Sequence, residues 1–138
     1  MSAILWALIA MLAYSFVAPL VGRAIGGGMP EFLVLLITSV TLVTASFVLA
    51  VLTGEFSWRN LAHPAAWNAY LGGAFLAVGI ASYYRALSLG SVSVVVPIFG
   101  LFIIVSSVLG FLLGEPVTLR KALGIVLAGI AVYLVAGS

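Results

Sequence analysis

The chain is organised as five long apolar segments separated by short polar or glycine-rich connections. A helix of about 20 apolar residues crosses the roughly 30 Å hydrocarbon core of a bilayer, and each segment has about that length. The segments lack the period-two alternation of membrane β-strands and are about twice as long. The pattern predicts an all-α integral membrane protein with transmembrane helices at about residues 3–22, 32–52, 67–87, 92–113 and 119–135.

The connections between these segments contain residues that typically end or begin helices. Residues 26–30 (Gly-Gly-Gly-Met-Pro) separate the first two helices, and residues 88–91 (Ser-Leu-Gly-Ser) join the third to the fourth. Glu115 and Pro116 end the fourth helix, and Thr118 is in position to cap the fifth. These short connections leave no room for a soluble domain, so we expect residues 1–138 to form a single transmembrane domain.

The longest connection, residues 54–66, mixes aromatic, charged and apolar residues. Ser57 is a possible helix cap and Pro64 a possible stop. This composition predicts a short amphipathic turn at the level of the lipid headgroups, with Trp58 and Trp67 as interfacial anchors. The N-terminal apolar run lacks a preceding basic stretch and is longer than the core of a signal peptide, so we expect it to be retained as the first helix.

The composition agrees with a protein surrounded by lipid. Hydrophobic residues make up 65% of the chain and charged residues 6%, and the mean hydropathy is +1.40. Soluble domains are about half apolar and about a quarter charged. The five basic residues are spread along the chain, which excludes a nucleic-acid-binding patch, and no cysteine is present for a disulfide or a thiolate metal site.

The basic residues at the helix ends are almost balanced between the two sides of the membrane. With five spans, Arg59, Arg120 and Lys121 lie on the N-terminal side, and Arg23 and Arg85 lie on the other. The positive-inside rule therefore favours a cytoplasmic N-terminus by only a small margin. Two interpretations follow: a single orientation set by that margin, or dual topology in which copies insert both ways and pair antiparallel.

No arrangement of residues typical of an enzyme is visible in the sequence. His63 is the single histidine, and it lies in the longest connection with no carboxylate next to it. The carboxylates Glu31, Glu55 and Glu115 lie at helix ends, and none lies at the centre of a span, where an ionisable group indicates function. We therefore expect no catalytic activity, no metal and no cofactor.

Arg85 lies about one turn before the end of the third helix, after Tyr83 and Tyr84. Its guanidinium can extend to the lipid headgroups, as arginine near a helix end commonly does. Alternatively, it can face a polar cavity and attract an anionic group of a substrate.

The second helix is rich in hydroxyl groups, which can bond to carbonyls of their own helix or line a polar cavity. Thr38 and Thr41 are three residues apart and can face a common lumen together with Tyr14 and Ser15 of the first helix. Hydroxyl and aromatic groups in a mostly apolar cavity fit a small amphipathic ligand. The candidate substrate-binding residues are Tyr14, Ser15, Thr38, Thr41, Tyr83, Tyr84 and Arg85.

Small residues recur at four-residue spacing on the last two helices. Ser106, Gly110 and Gly114 follow one face of the fourth helix, and Gly124 and Ala128 follow one face of the fifth. Such spacing lets helix backbones approach closely in a membrane, so we expect these residues at helix-packing or dimer contacts.

Two prolines lie within predicted spans. Pro97 is expected to kink the fourth helix, because proline removes a backbone donor. Pro19 is expected to bend the first helix near its end in the same way. Kinks of this kind beside a cavity are compatible with alternating access.

The C-terminal half resembles the EamA repeat of the drug/metabolite transporter superfamily. The resemblance lies in residues 83–87 (Tyr-Tyr-Arg-Ala-Leu), Pro97, residues 114–118 (Gly-Glu-Pro-Val-Thr) and residues 120–129, with Gly124 and Gly129 at characteristic positions. It implies a transporter of small metabolites. Most relatives carry two inverted repeats of five helices around a central cavity, so a single repeat implies pairing into a ten-helix assembly. Smaller four-helix relatives use a glutamate in the first helix for proton coupling, and that helix has no acidic residue here.

These observations lead to a hypothesis and two alternatives. The leading hypothesis is an antiparallel homodimer that exports small polar or amphipathic metabolites or drugs by alternating access through the cytoplasmic (inner) membrane of a bacterium or archaeon. Its partners are then the bilayer, a second copy or a homologous subunit, and a small-molecule substrate. The first alternative is a subunit that flips lipid-linked precursors together with a different chain. The second is a membrane scaffold or assembly protein without transport activity.

Overall fold

The computed structural model describes residues 3–114 and 116–136, and all regular secondary structure in those ranges is helical. Glu115 and the terminal Ser2 and Ser138 lie outside the described residues. The helices are α1 (Ala3–Ser15), α2 (Val17–Gly26), α3 (Glu31–Leu52), α4 (Trp58–Leu61), α5 (Ala66–Leu89), α6 (Val92–Gly100), α7 (Phe102–Leu112) and α8 (Leu119–Ala136).

Within the described residues, three helical stretches are long and apolar enough to cross a membrane. They are Ala3–Gly26, Glu31–Leu52 and Val92–Leu112, so α1 with α2 forms the first stretch and α6 with α7 the third. The chain is therefore an integral membrane protein whose described secondary structure is helical. The five-span count predicted from the sequence additionally requires α5, with 24 residues, and α8, with 18 residues. At 1.5 Å per residue these helices are about 36 Å and about 27 Å long.

The first apolar stretch is divided at Phe16 rather than continuous. Pro19 has no backbone N–H, so the carbonyl of Ser15 lacks its usual helical donor four residues later. The N–H of Phe16 bonds to Ala13 O, three residues earlier, at 3.3 Å, and this shorter turn ends α1. The helix resumes as α2 and continues to Gly26, four residues beyond the predicted end at residue 22.

The fourth predicted helix is likewise divided, at Leu101. Pro97 lies inside α6, and its missing N–H leaves the carbonyl of Ser93 without a helical partner. The interruption follows one turn later, where the N–H of Leu101 bonds to Ile98 O at 3.1 Å in a three-residue turn. A break between two shorter helices thus lies near each proline, at Phe16 before Pro19 and at Leu101 after Pro97.

The chain divides into two compact units between Leu89 and Gly90. In the first unit, α2, α3 and α5 contact one another, and the buried apolar residues of the described chain all lie there. They are Ala18, Val21, Val34, Tyr84 and Leu87. In the second unit, α8 packs against α6 and α7, and no described side chain is fully buried. Large apolar side chains are exposed on every long helix, which is what a lipid-facing chain requires.

The loop from α3 to α5 contains the short helix α4. The side chain of Ser57 caps α4 by accepting the N–H of Arg59 at 3.3 Å. The side chain of Thr118 accepts the N–H of Lys121 at 3.3 Å at the start of α8. Both caps were predicted from the sequence and are confirmed, because a side-chain oxygen is needed there to satisfy a free backbone donor.

Candidate functional site

Helices α3 and α5 lie side by side in opposite directions, and polar contacts connect them near one end. The first residue of α3, Glu31, meets Arg85 near the end of α5. About two turns further along α3, Thr38 meets Tyr84. These four residues form the polar cluster of the first unit, and we call them the α3–α5 cluster.

Arg85 forms an ion pair with Glu31. Nη1 of Arg85 lies 2.6 Å from Oε1 of Glu31, and the side chains are 55% and 19% exposed. The position of Glu31 in the first turn of α3 is favourable for a carboxylate, because the free backbone N–H groups carry partial positive charge. Arg85 therefore has a counter-ion within the chain, and its exposed guanidinium keeps further donors that a ligand can use.

Tyr84 is the most buried side chain in the described chain, with 1% of its surface exposed. Its hydroxyl donates to Oγ1 of Thr38 at 2.8 Å. The Thr38 hydroxyl lies 3.1 Å from the carbonyl oxygen of Val34 and 3.0 Å from that of Leu35, so it donates into its own helix. The ring of Tyr83 lies edge-on to that of Tyr84, with 6.5 Å between centroids. Tyr84 and Thr38 thus hold α5 against α3 in a closed contact rather than lining open space.

The remaining predicted substrate-binding residues do not join this cluster. Tyr14 is 72% exposed on α1. Ser15 donates to Met11 O at 2.8 Å, and Thr41 donates to Ile37 O at 2.9 Å. Both hydroxyls are exposed and bond within their own helix, which is one of the two interpretations open from the sequence. The structure therefore brings together Thr38, Tyr83, Tyr84 and Arg85, and leaves Tyr14, Ser15 and Thr41 apart from them.

Glu31 belongs to the α3–α5 cluster but was not predicted as a site residue. Its partner is 54 positions away in the sequence. A carboxylate is common in the first turn of a helix, because the free backbone N–H groups there carry partial positive charge. The position of Glu31 therefore did not by itself indicate a functional site. The available signal was a pair of opposite charges: Glu31 lies at the predicted start of the second span, and Arg85 lies near the predicted end of the third.

The small residues predicted at helix-packing or dimer contacts have different surroundings within the second unit. Gly114 lies in the turn after α7 with φ of +98°, a left-handed conformation that favours glycine. Ser106 is exposed, and a Cβ added at Gly124 meets nothing within 4 Å. A close approach between α7 and α8 occurs at Gly129, where an added Cβ lies 3.2 Å from Cδ1 of Ile104.

Each unit has an open groove on its surface. The first, which we call the α4 groove, has a volume of about 480 Å³ at the junction of α3, α4 and α5. Its lining residues are Ala50, Glu55, Phe56, Ser57, Asn60, Leu61, His63, Ala66, Ala69 and Tyr70. The second, the α7–α8 groove, has a volume of about 330 Å³ and is lined by Ile103, Ser107, Phe111, Lys121, Gly124, Ile125 and Ala128.

The described residues contain no cluster of three or more His, Asp or Glu side chains placed to hold a metal ion. An ion pair, an aromatic pair and two partly polar grooves offer charge, hydrogen bonds and apolar surface to a ligand.

A family model described as the EamA-like transporter family matches residues 1–137, which is essentially the whole chain. Comparison with curated proteins and with solved structures gives no match.

Proposed function

Because the chain belongs to the EamA-like transporter family of the drug/metabolite transporter superfamily, we propose that it exports small polar or amphipathic metabolites or drugs as an antiparallel pair of identical copies. The observation that carries this proposal is the family match over residues 1–137. The family supports membrane transport of small molecules in general. The direction, the pairing and the substrate class are parts of the proposal.

The lengths of α5 and α8 support the proposal of five spans. Helix α5 packs against α2 and α3, which both belong to stretches long and apolar enough to cross a membrane, and this packing supports the proposal that α5 lies at the same depth. Helix α8 packs against α6 and α7, which together form the third stretch. A helix bound along such a stretch satisfies its backbone internally, as the hydrocarbon requires.

The surface of a single copy supports pairing. One copy buries few side chains, and both of its grooves are open to the outside of their own unit. Transporters commonly place a substrate site near the bilayer midplane between two inverted halves, whether repeats of one chain or separate copies. The near balance of basic residues at the helix ends is compatible with insertion in both orientations. We therefore propose that a second, inverted copy closes the transport cavity, and that rocking of the two halves exposes it alternately.

The α3–α5 cluster supports a role for this end of the unit in substrate contact. Arg85 is more than half exposed although it is paired with Glu31, so its free donors can meet a polar group of the substrate. Tyr84 and Thr38 hold the two helices in register behind it. We propose that Arg85 contacts the substrate and that Tyr84 positions α5.

Export is tested by comparing cells that produce the wild-type chain, Arg85→Ala or Arg23→Ala at equal membrane levels. Metabolites are quantified in cells and medium by mass spectrometry. A defined set of small polar or amphipathic compounds should leave the cells with the wild-type chain and with Arg23→Ala, whose arginine lies near the end of α2. Arg85→Ala should lower that export. A metabolite profile identical to that of cells without the protein contradicts the proposal.

A further inference from the structure

The α7–α8 groove begins near the connection between its two helices and follows them away from it. Its α7 residues, Ile103, Ser107 and Phe111, are four positions apart and so share one face of that helix. On α8 the lining residues recur at three- or four-residue spacing from Lys121 to Ala128. The groove therefore extends about 10 Å along α8, which is about a third of the hydrocarbon thickness of a bilayer.

The interior of the α7–α8 groove is apolar and open. Gly124 has no side chain, and a Cβ added there meets nothing within 4 Å. The hydroxyl of Ser107 donates to Ile103 O at 2.8 Å, so it is satisfied within its own helix. Phe111 and Ile125 are half-buried and form part of the walls. Because the hydrocarbon core holds no water to fill such a groove, an apolar chain is the occupant that fits it.

Lys121 places a positive charge at one end of the α7–α8 groove. Its Nζ donates to Pro116 O at 3.3 Å, and Pro116 lies in the connection between α7 and α8. This bond positions the ammonium at the end of the groove and leaves two further N–H donors. None of the described residues that line the groove is acidic. Residues 113–121 contain two basic residues, Arg120 and Lys121, and one acidic residue, Glu115, so the sequence leaves this end positive.

We propose that the α7–α8 groove binds an anionic phospholipid, with its phosphate at Lys121 and one acyl chain along Gly124 and Ala128. An ammonium and a phosphate form a charge-assisted hydrogen bond, and the apolar walls accept the chain. The charge of Lys121 selects this occupant, because an anionic headgroup and an apolar tail together match the two ends of the groove. The proposal requires α8 to lie beside α7 in the membrane, and it does not depend on transport.

The test is native mass spectrometry of the purified full-length chain in uncharged maltoside micelles, titrated with dioleoylphosphatidylglycerol. Dioleoylphosphatidylcholine, which has the same acyl chains and no net charge, is the matched ligand control. We expect saturable binding of phosphatidylglycerol, about fivefold tighter than that of phosphatidylcholine. Equal affinities overturn the proposal, because the groove then selects the acyl chain alone. Displacement by glycerol phosphate, which lacks acyl chains, assigns the site to a free phosphate and also overturns it.

Variants of the two neighbouring basic residues locate the headgroup. Lys121→Gln should weaken phosphatidylglycerol binding about fivefold and leave phosphatidylcholine binding unchanged, whereas Lys121→Arg should keep the preference within about twofold. Arg120→Gln is the matched control, because it removes the same charge one position away from a residue that does not line the groove. It should change the affinity less than about twofold. Equal losses in Lys121→Gln and Arg120→Gln overturn the site, because net charge alone then attracts the lipid.

Gly124→Leu locates the acyl chain. The new side chain occupies the open space, so it should weaken the binding of both lipids at least about fivefold in a folded, monodisperse protein. Unchanged binding overturns the groove as the site of the acyl chain. The same spectra separate single from paired copies. Lipid carried by single copies and absent from pairs assigns the groove to a second copy of the chain and overturns the phospholipid as its occupant.

Discussion

Nη1 of Arg85 lies 2.6 Å from Oε1 of Glu31, so the last part of α5 is tied by charge to the first residue of α3. The two residues are 54 positions apart, and the contact joins α3 and α5 at the ends opposite the loop that contains α4. About two turns along α3, the bond from Tyr84 to Thr38 joins the same two helices a second time.

The first prediction concerns exchange of the paired charges. Glu31→Gln and Arg85→Gln should each lower the apparent melting temperature in detergent, because each leaves one charge without its partner. The double exchange Glu31→Arg with Arg85→Glu restores the attraction and should recover part of the loss. Thermal unfolding followed by size-exclusion chromatography measures this. A double exchange that is less stable than both single variants contradicts a direct ion pair.

The second prediction concerns the buried hydroxyl of Tyr84. Tyr84→Phe removes one hydrogen bond and should cost about 1 kcal/mol. Thr38→Val leaves the Tyr84 hydroxyl buried without an acceptor and should cost more, about 1–3 kcal/mol. The double variant should be no less stable than Thr38→Val, since the orphaned hydroxyl is gone. Unfolding titrations in mixed micelles give these free energies.

Thr41→Val is the matched control for Thr38→Val. The Thr41 hydroxyl is exposed and bonds to Ile37 O in its own helix, so its loss should change stability by less than about 0.5 kcal/mol. Equal destabilisation by Thr38→Val and Thr41→Val shows that the contact with Tyr84 contributes nothing beyond the local helix bond.

The helical architecture follows from the sequence because hydrocarbon imposes a simple length rule on apolar segments. The length of the apolar segments predicted where the long helices lie. Ser57 and Thr118 were recognisable in the sequence as helix caps. The breaks at Phe16 and Leu101 were harder to locate. Proline indicates that a helical bond is lost, but neighbouring bonds decide on which residue the helix divides.

The site was only partly predictable, for a different physical reason. Hydroxyl groups in a span can bond to their own helix or across to another, and the sequence does not distinguish these outcomes. The hydroxyl of Thr38 accepts a hydrogen bond from Tyr84 of α5. The hydroxyl of Thr41, one turn away, bonds to Ile37 O in its own helix. The pairing of Arg85 with Glu31 depends on how α3 and α5 align, which periodicity alone does not fix.

The third prediction separates packing within a copy from pairing between copies. Space is open at Gly124, so Gly124→Leu should leave the fold of one copy intact and weaken self-association if the α7–α8 groove faces a second copy. Gly129→Leu collides with Ile104 and should cost about 1–3 kcal/mol within one copy. Cross-linking in membranes measures association, and thermal unfolding measures the fold. Unchanged cross-linking with Gly124→Leu removes this groove from the pairing surface.

The fourth prediction concerns the break at Phe16. Pro19→Ala restores a backbone donor for the carbonyl of Ser15 and should join α1 and α2 into one continuous helix. Hydrogen exchange of the amides from residue 16 to residue 20 should slow in the variant. Ala18→Gly is the converse control, because it weakens the helix at the same place without restoring a donor, and exchange should accelerate. Equal exchange rates in wild type and Pro19→Ala contradict the role assigned to this proline.

The most direct test of the proposed antiparallel transporter is two-sided labelling of single cysteines at Ser2 and Ser138. The sequence contains no cysteine, so the background is clean. A membrane-impermeant maleimide is applied to intact cells and then to opened membranes. The account predicts that each end labels partly from the outside and partly from the inside, because copies insert both ways. Labelling of each end from one side only contradicts the antiparallel homodimer and directs attention to a partner of fixed orientation.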